Sequence, residues 1–222
     1  MSLLEFSRGP MLHFALLVFV FGVIWRLLAV VMLGFRKRYS EERHSNDKAL
    51  LVGGATCGLR SWPHKEFIGR TAFGEVVGYG YHIGMFTVVL LGAPHVIFWQ
   101  NLFGFSAPWW PTLPGAVITA VSVLTVVLML TATVRRYMHK PLRQISNFDD
   151  YFTLAILYAI MISGIWAVLG GPGRYEHILA AHIISFNLLL IWFPFGKLMH
   201  AFYIFPARFV NGYLHAKKGA AT

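Results

Sequence analysis

The sequence predicts an all-α membrane protein of five transmembrane helices, with its N-terminus outside and its C-terminus in the cytoplasm. Three observations predict it. Of 222 residues, 57% are hydrophobic and only 13% charged, about half the charged share of a water-soluble domain. Five apolar runs reach the roughly 20 residues needed to cross about 30 Å of hydrocarbon. The lysines and arginines gather in alternate connections, as the positive-inside rule requires.

The first run, Met11–Gly34, is too long for a simple secretory signal and lacks an A-x-A cleavage site, so it is expected to remain as a helix. The connection from Phe35 to Phe73 carries Arg36, Lys37, Arg38, Arg43, Lys48, Arg60, Lys65 and Arg70. The second run, Gly74–Trp99, leads into "NLFGFSAPWWPTLP", which has no lysine or arginine. The third, Gly115–Val134, is followed by Arg135, Arg136, Lys140 and Arg143. After the fourth, Tyr151–Leu169, the connection "GGPGRYEH" holds only Arg174. The fifth, Ile178–Tyr203, gives way to a tail with Arg208, Lys217 and Lys218.

The formal charge of +10 thus reads as a cytoplasmic collar on membrane lipid, with no need for nucleic acid. Trp99, Trp109 and Trp110 fit an interfacial aromatic belt. No internal repeat interrupts the chain, so residues 1–222 are read as a single integral-membrane domain. The sole cysteine, Cys57, excludes an internal disulfide, a cysteine-ligated iron–sulfur cluster and haem attachment through C-x-x-C-H. It reads as a small loop residue.

Ionisable groups inside spans are costly and mark function. His82 and His95 lie in the second run, His182 and His200 in the fifth. The two runs thread in opposite directions, so His82 matches His200 at the inner depth and His95 matches His182 at the outer depth. On one continuous helix, His182 and His200 stand five turns apart on a single face. Two imidazoles across a helix gap are what a low-spin haem b needs, because ligation uses a lone pair that hydrocarbon leaves unsatisfied. Gly78, Gly80, Gly84 and Gly92 supply small neighbours for a flat macrocycle. The plainer reading is a histidine that hydrogen-bonds a neighbouring helix.

His82 and His95 are thirteen residues apart, about 220° round an ideal helix, and do not share a face. Pro94 lies between them and is expected to kink the helix and re-aim His95. Otherwise His177 or His13 takes its place as the outer ligand. Arg26 and Lys197 are candidate propionate contacts, each set against snorkelling to headgroups. Glu75 reads as a solvated helix-end carboxylate rather than part of a proton path. His44, His64, His139 and His215 read as surface residues.

The stretch "AHIISFNLLLIWFPFGKLMH" followed by "AFYIFPARFV" resembles the last helix of the gamma subunit of respiratory nitrate reductase. "YGYHIGMFTVVLLGAPH" and "NFDDYFTLAILYAIMISGIW" are similar to its second and fourth helices. The membrane subunits of heterodisulfide-reductase-like and sulfite-reduction-associated complexes look similar at this level. The resemblance implies a dihaem cytochrome b subunit of a respiratory redox complex in a prokaryotic cytoplasmic membrane. It implies two haems b, the inner held by His82 and His200 and the outer by His95 and His182. It also implies exchange of electrons between a quinone and a cytoplasmic iron–sulfur or heterodisulfide-reductase-like subunit. In that family a lysine near the outer haem serves the quinol, whereas no lysine or arginine lies between Val96 and Pro114 here. Asn101, with the aromatic walls of "FGFSAPWWP", is the polar candidate for quinone instead. The competing readings are a haem-free anchor and a small proton-coupled transporter.

Overall fold

The computed structural model describes residues 1–32, 41–62 and 65–220. Leu33 and Gly34 of the first predicted span, Arg36, Lys37, Arg38 and His64 lie outside these residues. Among the described residues the regular elements are helical. In chain order they are α1 (Leu3–Arg8), α2 (Pro10–Met32), α3 (Asn46–Leu59), α4 (Ile68–Leu91) and α5 (Ala93–Phe103). There follow α6 (Gly115–Met138), α7 (Lys140–Gln144), α8 (Phe148–Leu169), α9 (Tyr175–Trp192) and α10 (His200–Lys218). Five segments are long and apolar enough to cross a membrane: Leu3–Met32, Ile68–Leu91, Gly115–Met138, Phe148–Leu169 and Tyr175–Trp192. Large apolar side chains such as Phe21 and Trp25 on α2 remain 67% and 70% exposed, a surface suited to lipid rather than water.

Local chemistry sets the helix ends. Ser2 and Glu5 close a capping box on α1, and Asn147 and Asp150 close one on α8. Gly104 and Gly170 end α5 and α8 in the left-handed region, with φ of 68° and 65°, where a side chain is disfavoured.

Two of the predicted spans are broken. The fifth does not run from Ile178 to Tyr203 as one helix: α9 ends at Trp192, and His200 opens α10. Pro194 removes a backbone donor at the break. The Trp192 carbonyl instead accepts from Phe195 N (3.0 Å) and Gly196 N (3.2 Å). The single helical face expected to carry both His182 and His200 therefore does not exist. In the second span α4 stops at Leu91 and α5 starts at Ala93, with Pro94 in its first turn. Pro94 ends one helix and starts another, which is more than a kink.

The chain divides into two compact units. The first comprises Met1–Leu16 and Phe73–Ile191. Here α4 packs on α6 through Gly80 and Gly84, spaced four residues apart on one face. A Cβ at Gly80 would stand 2.8 Å from Leu128 Cδ1, and one at Gly84 would strike the Thr125 hydroxyl. Gly78 has nothing within 4 Å of its Cβ position among the described residues. Gly80 and Gly84 thus seat α6 against α4. Between α6 and α8, Thr133 Oγ1 meets the Tyr158 hydroxyl at 2.9 Å, and Arg136 pairs with Asp150 at 3.1 Å. From α9, the wholly buried Asn187 donates to the Ser7 carbonyl on α1 at 2.9 Å.

The second unit comprises Leu17–Ala72 and Trp192–Thr222. Phe19 on α2 meets Phe193 edge-on at 5.2 Å, and Tyr203 donates to the Arg26 carbonyl at 3.0 Å. The predicted connection after the first span contains helix α3, and the predicted tail is helix α10. These pack closely because Gly212 lies against Thr56 and Gly53 lies under Phe209. Cys57 is in α3 rather than in a loop, its thiol 3.5 Å from the Phe205 carbonyl. Arg208 donates to Ser61 Oγ at 2.6 Å.

Lys217, expected on a basic surface, is 4% exposed and paired with Glu42 at 2.6 Å. Glu42 is itself 56% exposed, so water screens the pair, but its loss leaves an ammonium without its counter-charge. Glu42→Ala is expected to cost about 1–2 kcal/mol, while Lys217→Met is expected to be near neutral. Denaturant unfolding of the two variants in detergent checks this asymmetry.

Candidate histidine site

His95 and His182, 87 residues apart in sequence, lie side by side in the first unit. Their ring centres are 6.1 Å apart and the planes are inclined by 48°. The break at Gly92 brings His95 there. Gly92 N keeps the helical bond to the Val88 carbonyl at 3.1 Å, and the chain then leaves the helix at Gly92, which is extended with φ −74° and ψ 123°. His95 Nδ1 then donates to the same carbonyl at 3.0 Å. A Cβ at Gly92 would stand 2.6 Å from that oxygen and 3.0 Å from His95 Nδ1. Glycine at 92 therefore permits the turn that positions the imidazole.

His182 is seated by α8. Its Nδ1 donates to the Ile160 carbonyl at 2.9 Å and lies 3.3 Å from Ser163 Oγ. Gly164 forms the notch: a Cβ there would be 3.0 Å from His182 Cε1. One turn further along each helix, Phe98 meets Phe186 edge-on at 6.1 Å. The i, i+3 step from His95 and the i, i+4 step from His182 keep both pairs on one α5–α9 contact.

His82 Nδ1 donates to the Gly78 carbonyl at 2.7 Å, and its ring stacks on Tyr81 with centres 4.4 Å apart. His200 Nδ1 donates to the Lys197 carbonyl at 2.8 Å. His82 belongs to the first unit and His200 to the second. All four histidines thus share one arrangement. A carbonyl oxygen only accepts, so Nδ1 carries the proton and the lone pair of the neutral ring resides on Nε2. That is the tautomer a metal-ligating histidine needs, with its second nitrogen held by a backbone acceptor.

A haem fits the His95–His182 pair on two counts. Each ring has the ligating tautomer. The two ring centres stand 6.1 Å apart, close enough that both imidazoles would serve one metal centre.

The other candidate residues are dispersed. Arg26 and Lys197 are exposed in the second unit, and Asn101 is exposed on α5. Six residues past His95, Asn101 is turned about 240° from it around the helix axis. His13 and His177 are exposed, whereas it is the His182 ring that stands beside His95. His44 approaches Lys48 Nζ at 3.3 Å, and Glu75 is half-buried. Ile160, Ser163 and Gly164 complete the seat of His182. Only the i, i+4 grouping of Ile160 and Gly164 hints at a shared helix face.

Trp99 and Trp110 have a second task. Their indole N–H groups donate to the carbonyls of Val89 (3.1 Å) and Leu90 (2.8 Å). These are among the last carbonyls of α4, which have no partner within their own helix. Leu113 N closes the Leu91 carbonyl at 2.9 Å.

The chain matches no family model and no solved structure. It is 33% identical over 221 residues to a protein from Nitratidesulfovibrio vulgaris (strain Hildenborough), covering 98% of this chain and 96% of that one. End-to-end similarity of this kind makes the chain a member of the same family as that Nitratidesulfovibrio protein.

Proposed function

We propose that this protein is a dihaem cytochrome b subunit of a respiratory redox complex. The observation that carries the reading is the His95–His182 pair: two imidazoles 6.1 Å apart, each with Nδ1 fixed on a backbone carbonyl. In this reading they hold one haem b near the outer face. The resemblance assigns a second, near the inner face, to His82 and His200, each of which has the same Nδ1 bond. Each haem, when bound, supplies a one-electron ferrous–ferric couple.

The chain's own residues do the rest. His95 and His182 offer Nε2 lone pairs and keep the ring orientation fixed by Val88, Ile160 and Ser163. Phe98 and Phe186 keep water from the adjoining helix contact. Asn101, on the rim of α5, is the candidate polar group for a quinone on that side. Electrons pass across the membrane between the quinone there and a cytoplasmic iron–sulfur or heterodisulfide-reductase-like subunit. The exposed cations Arg26 and Lys197 are the candidate partners for haem propionates.

The test is a dithionite-reduced minus oxidised spectrum of the purified protein, with pyridine haemochrome quantification. About two haems b per chain are expected. One haem leaves a single pair in use. A colourless protein overturns the reading and favours a haem-free anchor or a proton-coupled transporter.

A further inference from the structure

The seats of His95 and His182 are unequal. His95 Nδ1 has one acceptor, the Val88 carbonyl at 3.0 Å. His182 Nδ1 has two, the Ile160 carbonyl at 2.9 Å and Ser163 Oγ at 3.3 Å. A serine hydroxyl has one proton. Ser163 commits it to its own helix, bonding to the carbonyls of Ala159 and Ile160. What it turns toward His182 is therefore a lone pair. Gly164, the next residue, is open enough to let the ring settle against both acceptors. Nothing in the α8 helix itself requires a hydroxyl at 163, because its backbone bonds form without one.

We infer that Ser163 is a positioning residue that sets the donor strength of His182, and through it the redox potential of the haem that His182 holds. An acceptor on Nδ1–H pushes electron density into the imidazole and strengthens the Nε2 donor. A stronger axial donor favours ferric iron and lowers the potential, hydrogen bonding around the ligand being one of the protein's levers on a haem. The inference rests on the dihaem reading and deepens it. It makes the two axial ligands of one haem electronically distinct, and it assigns the difference to α8 rather than to either ligand helix.

The experiment is a spectroscopic redox titration of the purified protein, the parent beside Ser163→Ala and Ser163→Thr. In Ser163→Ala the haem count is expected to hold while one titration wave moves to higher potential and the other stays. Ser163→Thr, which keeps the hydroxyl, is expected to titrate like the parent. If Ser163→Ala loses one haem and Ser163→Thr retains it, the hydroxyl is again the group responsible. Two unmoved waves in Ser163→Ala overturn the inference. An equal shift in Ser163→Thr also overturns it, because bulk rather than the hydroxyl is then what matters. A parent without haem sinks the dihaem reading itself and is recognised before any variant is titrated.

Discussion

His182→Ala is expected to lower the haem content from about two per chain to about one, and to abolish reduction by quinol. The alanine removes a lone pair, and among the described residues no other imidazole stands beside His95 to replace it: His13 and His177 are exposed. His95→Ala is expected to remove the same haem, because a single axial imidazole on a five-coordinate iron is a different and weaker site. The double variant should then look like either single one, as expected for residues that act as a unit. Pyridine haemochrome quantification of the three variants decides the matter. Two haems surviving in His182→Ala would end the assignment. A fall to about one in His182→Ala but not in His95→Ala would reassign the partner.

Gly84→Leu is expected to be the most damaging substitution outside the histidines. Even the first carbon of a side chain there collides with Thr125, and Thr125 is 1% exposed. Gly80, four residues earlier, is also close, its Cβ position 2.8 Å from Leu128 Cδ1. The α4–α6 contact therefore has no slack, and helix association in lipid depends on such close backbone approach. Overpacking of a fitted contact costs about 1–3 kcal/mol, and the whole side chain of leucine belongs at the upper end. Thermal unfolding in detergent should show a clear loss for Gly84→Leu. Thr125→Ala in the same background should restore part of it. Gly78→Ala, whose Cβ meets only open space, serves as the control and should be neutral or slightly stabilising. A Gly84→Leu protein as stable as the parent would refute the close contact.

Much of this architecture was legible in the sequence, because a span in lipid needs only length and apolarity. All five spanning segments follow from that, and Pro94 between His82 and His95 announced the change of direction that places His95. The break at Pro194 was hidden by its neighbours. Phe193 and Phe195 keep the stretch apolar, so hydropathy runs smoothly across a helix break that only backbone hydrogen bonding reveals. Helices α3 and α10 were passed over for the opposite reason. The basic residues that flank α3 and close α10 suggested connection and tail, while their packing depends on Gly53, Thr56 and Gly212, which are inconspicuous as letters. The seat of His182 was not legible at all. Its acceptors at 160 and 163 are about twenty residues away on another helix, and a serine in an apolar helix ordinarily satisfies itself on its own backbone.

The indole bonds from Trp99 and Trp110 to Val89 and Leu90 carry a consequence for biosynthesis. When the ribosome has completed α4, the side-chain donors for the Val89 and Leu90 carbonyls are still to be made, ten and twenty positions downstream. Unsatisfied carbonyls are expensive in hydrocarbon. The end of α4 is therefore held at the water boundary, or shielded by the insertion machinery, until the tryptophans arrive. The far end of α4 is thus completed only by its own following loop, through Trp110.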